Sequence, residues 1–181
     1  MDKRIRQYVG IIAAIVTYTI VHEGAHLICA CIFGVYKHVY FKGIGVQVDV
    51  YRGKMTDTEL GVFCLAGAAA TLFVGYSLAY CSGSICKIKS KLVRAALYYI
   101  TIACLFIDPL YLGILCGFVG GGDMNGIKLL CPEPIARVIF CFLLVVNIFI
   151  FWKIVLPNYK VSFGEKNKDD SGLSYRGMRC L

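Results

Sequence analysis

The stretch Tyr8–Val35, YVGIIAAIVTYTIVHEGAHLICACIFGV, decides how this chain folds. It is an apolar run of 28 residues, interrupted only by His22, Glu23 and His26 among imidazole and charged side chains. A helix rises about 1.5 Å per residue, so a run of this length crosses the hydrocarbon of a bilayer with some tilt. Ionisable groups placed at membrane depth are costly and usually mark function. His22-Glu23-Gly24-Ala25-His26 lies past the midpoint of the run and needs a chemical reason to be there.

Working outward, the composition supports a membrane reading. Hydrophobic residues make up 59% of the 181 residues, charged residues 17%, and the mean hydropathy is +0.71. Three further apolar runs, about 60–80, 95–119 and 135–156, are each long enough to span. Between the first two runs the pattern changes. Val39-Tyr40-Phe41 and Val46-Gln47-Val48-Asp49-Val50-Tyr51, with glycines at 43, 45 and 53, predict a short β-hairpin at the membrane edge. The expected fold is an all-α integral membrane protein of about four transmembrane helices, with that hairpin between the first and second. The membrane-embedded domain takes in residues 1–156, and 157–181 reads as a polar, disordered tail.

Local signals refine the spans. Leu65-Ala66-Gly67-Ala68-Ala69-Ala70-Thr71 presents small residues that let another helix approach closely. Pro109 removes a backbone donor and disfavours helix at Asp108, predicting a break or kink in the third span. Gly120-Gly121-Gly122-Asp123-Met124-Asn125-Gly126 follows as a flexible stretch with a carboxylate at its centre.

The net charge of +8 falls in short clusters beside the apolar runs rather than on an amphipathic face, which argues for membrane topology and against nucleic acid. Twelve Lys and Arg lie at the N-terminus, in Ser82–Arg94 and after Pro157, against five on the opposite side, so both termini are expected in the cytoplasm. The first run is too long for a cleavable signal peptide. Most of the ten cysteines fall within apolar runs without metal-binding spacing and serve as small apolar fillers; Cys81 and Cys86 could pair in an oxidising compartment.

The chemistry follows from H-E-x-x-H on a helix. His22 and His26, four residues apart, face one side and can grip one ion, and Glu23 is placed to act as general base on a water. This is the arrangement of zinc hydrolases, so Zn²⁺ is the expected cofactor. A catalytic zinc takes three protein ligands. His38, the remaining histidine, falls in the loop beyond the motif's helix. Most carboxylates lie in polar segments, which leaves Asp123 as the favoured third ligand and Asp108 as the alternative. Asp123 has glycines beside it and shares the motif's depth; it could instead cap a helix starting at Met124. Asn125 is a candidate contact for substrate backbone.

Taken together, these stretches resemble the site-2 protease family of intramembrane zinc metalloproteases. The resemblance rests on His22-Glu23-Gly24-Ala25-His26 within the first span and is supported by Ala66-Gly67-Ala68-Ala69-Ala70, which is similar to the family's Gly/Ala-rich helix. Asp108-Pro109 looks like its Asn-Pro element, and Gly122-Asp123-Met124-Asn125-Gly126 like its Asp-Gly ligand motif. Asp108 stands where the family often has Asn, and Asp123 is followed by Met-Asn-Gly rather than Gly. The resemblance covers Tyr8 to about Leu130 and implies peptide-bond hydrolysis in or near transmembrane segments of membrane-protein substrates within the bilayer. Two other classes compete: a non-proteolytic metal-binding membrane scaffold, for which Glu23 is dispensable, and a small ion transporter, which predicts inverted repeats that the halves do not display.

Overall fold

The computed structural model describes residues 3–42 and 45–164. The first helix, α1, covers Lys3–Ile32, and the hairpin strands β1 (Tyr36–Lys42) and β2 (Gly45–Val50) follow. Helix α2 is Asp57–Tyr80, a single turn α3 is Ser82–Ile85, and α4 is Lys91–Leu110. A π turn, Tyr111–Leu115, leads into α5, Cys116–Val119, and a short α6, Met124–Ile127. The last long helix is α7, Glu133–Ile150, which passes through a π turn at Phe151–Val155 into α8, Leu156–Gly164. Four continuous helical stretches, Lys3–Ile32, Asp57–Tyr80, Lys91–Val119 and Glu133–Gly164, are long and apolar enough to cross a membrane. The chain is a multi-pass, all-α membrane protein with a two-stranded antiparallel hairpin between its first and second spans.

Two of the spanning stretches, the first and the last, are exposed along much of their length. Ile12, Ile15 and Ile20 on α1, and Val138, Phe142 and Val145 on α7, all face outward. Water would not tolerate so large an apolar surface, whereas lipid chains cover it at no cost. A helix satisfies its backbone polar groups within itself, as a bilayer requires.

The ends of the helices are written locally. Gly34, at φ +66°, takes the left-handed conformation past the end of α1; its N–H bonds Cys31 O at 3.1 Å and Val35 N–H bonds Ala30 O at 2.9 Å. This paired closure satisfies two orphan carbonyls and turns the chain into β1. In the hairpin, Val39 pairs with Val48, Tyr40 with Gln47 and Phe41 with Val46. Helix α2 begins with a capping box. Thr56 Oγ1 accepts from Glu59 N–H at 3.2 Å, and Glu59 Oε2 accepts from Thr56 N–H at 2.8 Å, an arrangement that contributes about 0.5–2 kcal/mol.

Helix α4 packs against α1, α2 and α7 and forms the centre of the bundle. Of the expected break or kink at Asp108-Pro109, the break does not occur. Pro109 sits inside α4, and the helix runs through it to Leu110 before widening into the π turn. The carbonyl that loses its donor to a proline is the one four residues earlier, Leu105 O. Asn147 Nδ2 on α7 donates to that oxygen at 2.6 Å, and Tyr76 on α2 donates to Asn147 Oδ1 at 2.8 Å. A side chain from another span has replaced the missing backbone donor, so the helix need not open.

The polar tail also begins later than composition suggests. Residues through Gly164 continue the last helix as α8, with Tyr159 and Ser162 buried against the bundle. Arg94, near the start of α4, ties this end down: its Nη1 donates to Cys86 O, Ser162 O and Ser162 Oγ. The rest of the expected tail, 165–181, lies outside the described residues. Cys81 is a free thiol, so the Cys81–Cys86 pairing is not formed.

Candidate metal centre

His22 and His26 stand on consecutive turns of α1, facing α2 and α4. The wall opposite them is a glycine. A Cβ on Gly67 would lie 2.6 Å from His26 Nε2 and 2.7 Å from His22 Nε2, so the small-residue face of α2 creates the space for the two rings.

Each imidazole is held from behind. His26 Nδ1 lies 2.8 Å from Phe63 O, so it donates there and leaves Nε2 with its lone pair directed into the site. His22 Nδ1 lies 3.3 Å from Asp108 Oδ1, with the Tyr18 hydroxyl at 3.5 Å. Asp108 is itself buried and fixed: Tyr18 OH donates to Oδ1 at 2.6 Å, and the Thr71 hydroxyl donates to Oδ2. An acceptor behind each ring sets its tautomer and orientation, the usual support of a metal-binding histidine.

Asp123 arrives from the far side. The chain leaves α5 through Gly120 (φ +114°) and Gly122 (φ +43°), and Tyr111 OH donates to Gly120 O at 2.7 Å. Two such backbone angles are readily open only to glycine, and they bring Asp123 over the histidines. Its Oδ2 lies 3.2 Å from His22 Nε2 and 3.6 Å from His26 Nε2, while the two Nε2 atoms are 3.2 Å apart. Asp123 does precede α6, yet its side chain makes no capping bond. The three side chains can hold a metal ion, each offering one donor within 4.8 Å of the others.

Asp108 therefore meets His22 at Nδ1, outside this donor group, and His38 is on exposed β1, where its Nδ1 lies 3.8 Å from Asp49 Oδ2. Glu23 is half-buried and accepts from Val48 N–H at 3.2 Å, so the edge of β2 is tied to the motif. A cavity of about 420 Å³ opens over these groups, lined by His22, Glu23, His26 and Asp123, by Tyr40, Gln47 and Val48 of the hairpin, and by Tyr111 and Asn125. Asn125 thus borders the same space, with Lys128 Nζ donating to its Oδ1 at 3.3 Å.

Several participants were not legible beforehand. Tyr18 stands four residues before His22, a helical spacing that could have flagged it. Thr71, the Phe63 carbonyl and the Val48 amide carried no signal of their own. Comparisons with protein-family models, with curated proteins and with solved structures found no match to this chain.

Proposed function

We propose that this protein is an intramembrane zinc metalloprotease, similar in chemistry to the site-2 proteases, that cleaves peptide bonds in or near transmembrane segments of other membrane proteins. The observation that carries this reading is the convergence of His22 Nε2, His26 Nε2 and Asp123 Oδ2, with Glu23 lining the same cavity. Donors around a tetrahedral zinc with bonds of about 2.0–2.1 Å lie about 3.3 Å apart. The separations of 3.2, 3.2 and 3.6 Å fit that spacing, and two imidazoles with one carboxylate match the donor set of known zinc peptidases. When bound, zinc would polarise the scissile carbonyl and acidify a water.

The remaining work belongs to the chain. Glu23 takes a proton from the attacking water and returns it to the departing amine, so the water oxygen joins the carbonyl carbon as the C–N bond breaks. Its bond from Val48 N–H keeps the carboxylate at the cavity wall. Asp108 holds His22 through Nδ1, with Tyr18 and Thr71 holding Asp108. A helical substrate has its carbonyls occupied and must be unwound before attack. The hairpin borders the path of the extended chain at Tyr40, Gln47 and Val48, and Asn125 is placed to contact its backbone.

Glu23→Gln is the discriminating variant, because glutamine can still accept from Val48 N–H but cannot serve as the base. Purified Glu23→Gln should keep its zinc, measured by atomic absorption, and lose cleavage of a single-span reporter in proteoliposomes. Cleavage at the wild-type rate would overturn the mechanism. Zinc bound but no cleavage by wild type of any reporter would favour the scaffold.

A further inference from the structure

A second cavity, of about 520 Å³, lies at the opposite end of the bundle from the metal centre, about 25–30 Å away along α1. It is enclosed by the first turns of α1 and α4 and by α8. Four of its lining residues are cations, Lys3, Arg6, Lys91 and Lys160, and among the described residues no carboxylate lines it. The rest of the wall is largely aromatic and aliphatic: Tyr98, Tyr99, Tyr159, Phe163, Leu156 and Ala95.

A further charge stands behind this wall. Arg94 is only 7% exposed, its guanidinium lies 5.5 Å from the centre of the Phe163 ring, and its Nη1 donates to the neutral oxygens of Cys86 and Ser162. Its Nε has no hydrogen-bond partner among the described residues. A buried cation facing neutral acceptors adds positive potential to a cavity already rich in it.

We propose that this cavity binds the phosphate headgroup of an anionic phospholipid, with Lys3, Arg6 and Lys160 contacting the phosphate. A lipid fits better than a soluble anion because the site is amphipathic. The cations sit at the membrane-boundary ends of the helices, and the aromatic wall suits the interface. The neighbouring surface is apolar and open: Tyr8 is 67% exposed and Val161 64%, one residue beyond Gln7 and Lys160 of the lining, where acyl chains would lie. Basic pockets between spans are a recognised headgroup chemistry.

The test uses the full chain in detergent, titrated with dioleoylphosphatidylglycerol or dioleoylphosphatidylcholine and read by native mass spectrometry. Phosphatidylglycerol should bind about tenfold more tightly than phosphatidylcholine, and Arg6→Gln/Lys160→Gln should abolish that preference. Lys87→Gln/Lys89→Gln removes the same charge from the same face outside the cavity and should preserve it. Equal loss in both double variants, or none in the first, overturns the cavity as the site. Displacement of bound phosphatidylglycerol by millimolar inorganic phosphate overturns the lipid in favour of a soluble anion. Unchanged zinc content and size-exclusion profile verify folding of each variant, and no outcome depends on proteolysis.

Discussion

A Cβ at Gly67 would sit between the two imidazoles, whereas one at Gly24, inside the motif itself, would meet nothing within 4 Å. The two glycines therefore test the site by contrast. Gly67→Ala should weaken zinc binding at least tenfold, read by competition with a chromophoric chelator, because the rings must shift off their supporting acceptors. Gly24→Ala should bind zinc as wild type does and raise helix stability by about 0.5–1 kcal/mol. The carboxylates separate in the same way. Asp123→Asn should lose zinc outright, while Asp108→Asn should retain it with affinity reduced about 10- to 100-fold, as for loss of a group behind a ligand. Full zinc retention by Asp123→Asn together with its loss in Asp108→Asn would reverse the ligand assignment.

Among the elements, α4 shows how a proline is accommodated in a span. Leu105 O owes its partner to Asn147 because Pro109 cannot donate. Asn147→Ala leaves that carbonyl unpaired in an apolar interior and should cost about 1–3 kcal/mol in a reversible unfolding assay in mixed micelles. Pro109→Ala restores the N–H, so the same asparagine substitution made in that background should cost clearly less. Additive effects in the double-mutant cycle would show that the two residues act independently. The α5–α6 connection is the other element with a specific demand. Gly120 and Gly122 have positive φ, so an alanine at either strains the turn that delivers Asp123 and should lower zinc affinity without touching a ligand.

At the scale of the whole molecule, four helices are long and apolar enough to span, and an even number of crossings predicts both ends of the described chain on one side with the hairpin on the other. The excess of Lys and Arg beside the N-terminus, in Ser82–Arg94 and after Pro157 predicts that this shared side is the cytoplasm. A reporter fused before Lys3 and one fused after Gly164 should give the same cytoplasmic signal, and an epitope inserted at Gly43 the opposite one. Reporters on opposite sides would mean an odd number of spans.

Much of this was already decided by the sequence alone. Apolar runs long enough to span, the hairpin between the first two, and the histidine pair with Glu23 all follow from local pattern, because helix periodicity and bilayer thickness act on consecutive residues. Depth matching along the spans also favoured Asp123, with Asp108 as the alternative. The tertiary structure decided what depends on residues far apart in the chain. Whether Asp108 meets His22 at Nδ1 or Nε2 rests on how α4 rotates against α1, and no local pattern encodes that rotation. Whether Pro109 breaks its helix depends on an asparagine thirty-eight residues later. The space for two imidazoles depends on a missing side chain at Gly67 in α2. The motif alone names two of three donors; packing among α1, α2 and α4, with the glycine turn after α5, brings the third within reach.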